Sequence, residues 1–312
     1  MNTFLTSLVA GFGSGAVYAL IAVGFVIIYR ATGVLNFAQP ALVILGAFFT
    51  SLFAVDLGLP FPLAVVLGVA VVVAISMLTE RVALRPMVGK SAYSAAVVTV
   101  GVFFVLLMVA YRLFDGHPKT VNDPWQLNNF CFGGEIVETG FGTSCEGGVI
   151  VYEYNIAKFV IAMIVIIVLG IWLTRSRLGL AMRATALDQE TALAQGINVG
   201  RIFSTSWAIG GGLAALAGVL MAANGSVIQA TDALFALVAL PAIILGGLDS
   251  IKGAVIGGFV IGIAMSLTKT YQLSYAPWLG ANFENVVPYL IMLLVLLVKP
   301  FGLYGTKEVV RV

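Results

Sequence analysis

Two cysteines, one histidine and a thin scatter of acids are all that this 312-residue chain offers for covalent or metal chemistry. Cys131 and Cys145 sit in a glycine-rich stretch among Asp115, Asp123, Glu135, Glu138, Glu146 and Glu153. Two cysteines so spaced, on an oxidising face, read as a disulfide closing a small cap. The alternative is a metal site, but with His117 as the chain's one histidine the ligand set is thin, and no metal is expected. "GKS" at 89–91 resembles the end of a phosphate-binding loop. Such a loop needs glycine five residues before Gly89, and Leu84 stands there. No nucleophile–base pair and no paired acids fall within an apolar segment, so no catalytic residues and no cofactor are expected.

A second kind of chemistry is dipolar. In "GVLNFAQPALVILGAF" the amides of Asn36 and Gln39 precede Pro40, which disfavours helical geometry at the residue before it. In "LPAIILGGLDS" Pro241 and the pair Gly246–Gly247 interrupt an apolar run. Amide side chains and unwound backbone can ease a polar solute past apolar walls, and interrupted helices are a good pointer to a solute path. Simple proline kinks are the alternative. The first break is expected to leave Asn36–Gln39 unwound and the helix from Pro40 uncapped at its start.

These residues need elements to hold them, and the composition says which. The chain is 61% apolar and 10% charged, with a mean hydropathy of +1.07. Nine blocks carry no charge: 1–29, 31–55, 57–79, 92–111, 159–174, 202–231, 233–248, 253–268 and 285–298. A run of about 20 apolar residues crosses the hydrocarbon core as a helix. The chain therefore reads as an all-α integral membrane protein, a polytopic bundle of about eight or nine transmembrane helices, some discontinuous. The first block lacks a basic start and is too long for a signal peptide, so it is expected to stay as a membrane helix. With the N-terminus outside, Arg30, Arg81, Arg85, Lys90, Arg175, Arg177, Arg183, Arg201, Lys252, Lys299, Lys307 and Arg311 fall inside. Arg112, Lys119, Lys158 and Lys269 fall outside. Twelve cations of 16 inside is the positive-inside bias, so the orientation is N-out, C-in. Block 233–248 is short enough to be re-entrant. The acids Asp56, Glu80, Asp232, Asp249 and Glu284 fall at segment ends, where solvation accounts for them. Glycines spaced at four, as in Gly253, Gly257, Gly258 and Gly262, suit close helix packing or an interface.

One domain over 1–312 is expected, with an outer loop at 113–154 and a cytoplasmic loop at 175–201. The inner loop holds "LDQETALAQGIN". Asp188 can cap a helix that starts at Gln189, Glu190 complements its dipole, and Gly196 can end it in the left-handed conformation. About two turns would expose Thr191, Ala192 and Ala194 beside Arg177, Arg183 and Arg201. A small-residue knob of this kind suits a groove on a soluble partner.

The loop resembles the coupling segment of ABC importer permeases, an alanine pair followed by glycine, and "ETALAQGINVGRI" is a loose version of it. Over nearly its whole length the chain resembles permeases of LIV-type branched-chain amino-acid ABC transporters. The resemblance lies in "YALIAVGFVIIYRATGVLNFA", "ERVALRP", "SRLGLAMRATALDQETALAQGIN", "LGGLDSIKGAVIGG" and "KPFGLYG". It implies a permease of the bacterial cytoplasmic membrane, paired with a homologous second permease, two cytoplasmic ATPases and an extracytoplasmic solute-binding protein. Arg183, Asp188, Glu190, Ala192, Ala194 and Gly196 would couple it to the ATPases, and ATP would bind those partners. Asn36, Gln39, Pro40, Gly246 and Gly247 would lie on the path of an amino acid. Urea or short amides are the alternative cargo. A secondary transporter or channel would need coupling ions or membrane-embedded charges, which are not seen, and nothing points to nucleic acid. Relatives commonly follow "NFA" with His-Gly, where this chain has Gln39–Pro40.

Overall fold

A computed structural model describes residues 2–114, 117–125, 127–139, 142–223 and 228–305. Asp115, named above beside the cysteines, and Lys307 and Arg311, counted among the inner cations, lie outside the described residues. Among the described residues seven helices, two of them counted with the turns that prolong them, are long and apolar enough to cross a membrane. They are α1 (Asn2–Thr32), α2 (Gln39–Ser51), α3 (Phe61–Thr79), α4 (Ala92–Leu113), α5 (Glu153–Arg175), α8 (Val199–Ala222) and α11 (Ile251–Tyr275). A single π turn, Leu52–Asp56, prolongs α2, and another, Glu80–Leu84, prolongs α3.

Among the described residues two shorter apolar segments stand beside them. One is α12 (Val287–Val298). The other is a broken pair, α9 (Ala233–Ala236) and α10 (Ala239–Gly246). Its chain leaves Ile228, which pairs with Lys119 of the outer loop, and leads on to Asp249 and Lys252. The break falls at Leu237–Val238 and not at Pro241. Pro241 lies in the first turn of α10, where a proline removes no helical hydrogen bond.

α1 is the hub of the bundle and packs against α11, α8, α5 and α10. Its best 18-residue window is 83% buried, against 17% for α5, so α1 is the centre and α5 the rim. The centre is possible because glycines remove side chains where helices cross. A Cβ on Gly262 of α11 would fall on the backbone of Gly15 in α1, and one on Gly218 of α8 would fall on Val43 of α2. The spaced glycines therefore serve close packing within the chain.

The outer loop departs from an all-helical reading. It forms two small antiparallel sheets, with β1 (Asn129–Phe132) on β4 (Val149–Tyr152) and β2 (Glu135–Thr139) on β3 (Gly142–Glu146). In the register Ile136 faces Cys145 and Cys131 faces Ile150. Cys131 and Cys145 are disulfide-bonded across the two ribbons, with Cα atoms 5.6 Å apart.

Candidate functional site

The inner loop folds into α6 (Arg177–Leu187) and α7 (Gln189–Ala194), followed directly by α8. Each start is capped by a side chain. Ser176 Oγ accepts from the Gly179 N–H (3.0 Å), Asp188 Oδ1 from Thr191 N–H (3.0 Å), and Asn198 Oδ1 from Arg201 N–H (3.0 Å). The Thr191 hydroxyl also donates to Asp188 Oδ2 (2.7 Å). The Thr191 backbone N–H, then its hydroxyl, hold the Asp188 carboxyl below the usual carboxylate range. The cap is therefore intact above that range and is lost only as pH falls through the lowered value. At neutral pH α7 keeps its start.

The end of α7 is a Schellman motif. Gly196 has φ +81°, its N–H donates to the Leu193 carbonyl (2.9 Å), and the Ile197 N–H donates to the Ala192 carbonyl (3.0 Å). Gly196→Val should therefore unwind the end of α7 while the chain still inserts, because a branched side chain opposes the left-handed region. The check is limited proteolysis of the inner loop beside membrane abundance, with Gly196→Ala as the milder variant. Wild-type resistance in Gly196→Val would show that the motif does not hold α7.

The knob itself differs from the sequence reading. Ala192 is 3% exposed and faces inward, so it packs the knob and does not present it. Ala194 and Glu190 are exposed, and the apolar surface comes from Leu187 at 90% and Leu193 at 57%. Arg183 is half-buried and donates to the Leu173 carbonyl at the end of α5 (2.7 Å). There it satisfies an orphan carbonyl and ties the loop to a membrane helix.

Beside this loop lies a polar cluster that reading Glu80 as a solvated end had missed. Glu80 is 1% exposed. Arg85 donates to both its oxygens (3.1 and 3.0 Å), to the Gly200 carbonyl (3.0 Å) and to Ser204 Oγ (2.7 Å). Ser204 in turn donates to Glu80 (2.6 Å). The cluster fastens the end of α3 to the first turns of α8, immediately after α7. "ERVALRP" carried the signal, with an acid and an arginine five residues apart, but the third member is remote in sequence.

The break after α1 is also more closed than expected. The chain returns from Thr32, and α2 begins at Gln39, level with Gly24 of α1. Gly24 lies eight residues before the end of α1, about 12 Å inside it, so the break is at membrane depth. Asn36 and Gln39 are buried, at 1% and 0%. Asn36 Oδ1 accepts from the Ala38 N–H (3.0 Å), its Nδ2 donates to Gln39 Oε1 (3.1 Å), and Gln39 Nε2 donates to the Gly210 carbonyl of α8 (3.0 Å). Asn36 thus orders the turn that leads into α2, while Ala38 at its N-cap offers no side-chain bond, so the start of α2 is uncapped as expected. Pro40, also buried, occupies the first turn, where its missing N–H has no cost.

Gly246 and Gly247 lie at the far end of α10, apart from this break. Gly247 has φ +106°, and a Cβ on Gly246 would fall on Gly253 at the start of α11. The Leu245 and Gly246 carbonyls are taken by the N–H groups of Leu303 (2.8 Å) and Tyr304 (3.0 Å), so "KPFGLYG" is sewn onto the end of α10.

On the outer side Lys158, read as an outside cation, is only 7% exposed in the second turn of α5, with its Nζ 4.8 Å from the Tyr154 ring centre. Asp123, also buried, faces it, and Asn155 is buried one turn earlier on α5. A charge does therefore reach into the bundle near its outer end. The disulfide gives a simple check of sidedness. A membrane-impermeant thiol reagent on intact cells should label Cys131 and Cys145 only after reduction; labelling only after permeabilisation would reverse the topology.

Comparison with known proteins accords with this arrangement. A family model described as the permease component of branched-chain amino acid transport systems matches residues 7–296. The high-affinity branched-chain amino acid transport system permease protein BraD of Pseudomonas aeruginosa is 32% identical, covering 99% of this chain and 98% of its own. Its counterpart LivH of Escherichia coli K12 is 29% identical over the same shares. A probable LivH of Methanocaldococcus jannaschii is 30% identical over 92% of this chain and 88% of its own. The match runs through the hub helix, both breaks and the capped inner loop, and the chain belongs to the branched-chain amino acid transport permease family.

Proposed function

We propose that this chain is the permease subunit of an ABC importer that carries branched-chain amino acids across a bacterial cytoplasmic membrane. It works with a homologous second permease, two cytoplasmic ATPases and an extracytoplasmic solute-binding protein. The observation that carries the reading is the match to permeases of that system over almost the whole chain. The inner loop supports it: two short helices, each with a side-chain cap, a glycine stop and two exposed leucines form a rigid knob suited to a groove. Arg183, Asp188, Glu190, Ala192, Ala194 and Gly196 build and present that knob, with Leu187 and Leu193 as its apolar contacts. Affinity purification of the tagged chain from native membranes tests the assembly. Two ATPases and a second permease should co-purify; recovery of the chain alone under conditions that keep other importers intact would count against it.

The solute path is proposed to run beside the two breaks. Asn36, Gln39 and Pro40 shape the first and Gly246 and Gly247 the second, as the framework of helices that must shift to open it. Weak dipolar surroundings suit a permease, since tight binding would trap cargo already selected elsewhere. Asn36→Leu removes the bonds to the Ala38 N–H and to Gln39, each worth about 1 kcal/mol. Asn36→Leu and Gln39→Leu are expected to slow uptake with little change in the solute concentration giving half-maximal rate. A shift mainly in that concentration would place selection here, and normal transport by both would move the path elsewhere.

A further inference from the structure

On the face assigned to the cytoplasm, a cleft of about 920 Å³ opens between α1, α5, α6 and α11. Its walls are aliphatic: Ile27, Ile166, Ile167, Ile171, Val255 and Ile256. Along α5 it runs from Ile166 to Thr174, eight residues or about 12 Å, close to the depth of one leaflet's hydrocarbon, about 15 Å. It is open sideways toward the bilayer, since Ile167 and Ile171 remain 52% and 50% exposed. At its mouth stand three cations, Arg30, Arg183 and Lys252, with Tyr304 beside them. Asp249 is the one acid among the lining residues and is engaged within the chain.

An apolar slot one leaflet deep, capped by cations at the level where headgroups lie, has the shape and charge of a lipid. We propose that it binds an anionic diacyl phospholipid of the cytoplasmic leaflet, with the acyl chains between α5 and α11 and the phosphate among Arg30, Arg183 and Lys252. A zwitterionic amino acid would leave its charges against isoleucine, which is costly. A zwitterionic lipid would not answer an excess of two positive charges. Gly179, Met182 and Arg183 of α6 line the same cleft, so the lipid would brace the inner loop where it leaves the membrane. The proposal does not depend on the cargo.

The test is native mass spectrometry of the full-length chain, titrated in detergent with phosphatidylglycerol or phosphatidylcholine of matched acyl chains. The wild type should retain phosphatidylglycerol preferentially. Arg30→Gln/Lys252→Gln should lower that affinity about thirty-fold, the factor for about 1 kcal/mol per cation removed. Arg81→Gln/Lys90→Gln, cations of the same face outside the cleft, should leave it unchanged. Gly170→Leu should weaken retention of both lipids, because a Cβ there meets nothing and a leucine can fill the slot without disturbing its neighbours. Gly170→Leu also keeps the test open should the double variant fail to insert. Equal retention of the two lipids by the wild type, or wild-type retention in both cleft variants, would overturn the proposal. So would efficient cross-linking of Ile167→Cys to another permease chain in native membranes, which would make the cleft a protein interface.

Discussion

Arg85→Met is expected to destabilise the chain by about 3–5 kcal/mol, because it strands the Glu80 carboxylate inside the protein without its cation. Ser204 alone can donate one hydrogen bond, which does not neutralise the charge. Thermal inactivation of the purified chain, followed by monodispersity, should move far to lower temperature. Glu80→Gln/Arg85→Met should recover most of the loss, since a neutral amide can still use Ser204 and no buried charge remains. The asymmetry is the point of the experiment. If Arg85→Met is nearly neutral, Glu80 does not depend on Arg85 and the fastening of α3 to α8 comes from apolar packing.

The second large effect is expected at the apolar tips of the knob. Leu187→Asp/Leu193→Asp should lower affinity for the ATPase subunits at least about a hundred-fold, the factor for about 1.5 kcal/mol lost per buried leucine. Both side chains lie outside the chain's own core, so insertion and thermal stability should stay at wild-type levels. Ala192→Asp should behave differently. It forces a carboxylate into the packing beneath α7 and should lower stability and coupling together. If the two leucine variants bind ATPase and transport normally, the docking surface is elsewhere on the inner face.

What was legible in the sequence was local or repetitive. The caps of α7 could be read from Asp188 and Gly196 because each acts within one turn of itself. The break at 33–38 could be read because Pro40 constrains its immediate neighbour. Nine apolar blocks pointed to the bundle, and the distribution of cations to an orientation that thiol labelling of the outer cysteines tests. The illegible parts depend on pairing across distance. Gln39 finds its acceptor 171 residues away, and Glu80 its serine 124 residues away. An apolar alanine between polar residues carries no mark of which way it faces, so Ala192 was placed on the wrong side of its helix. The four strands of the outer cap are four or five residues long and broken by glycine, too short for an alternating pattern to stand out. The two cysteines identified the cap but not its architecture.

The central claim is that this chain conducts branched-chain amino acids under ATPase control. It is tested most directly by uptake of radiolabelled leucine in cells lacking the chain, compared with the same cells carrying it back. High-affinity uptake should vanish on deletion and return with the wild type. It should stay absent with Gly196→Val, and excess unlabelled isoleucine or valine should suppress it while urea and short amides do not. Undiminished high-affinity uptake of leucine, isoleucine and valine in the deletion strain would contradict the account.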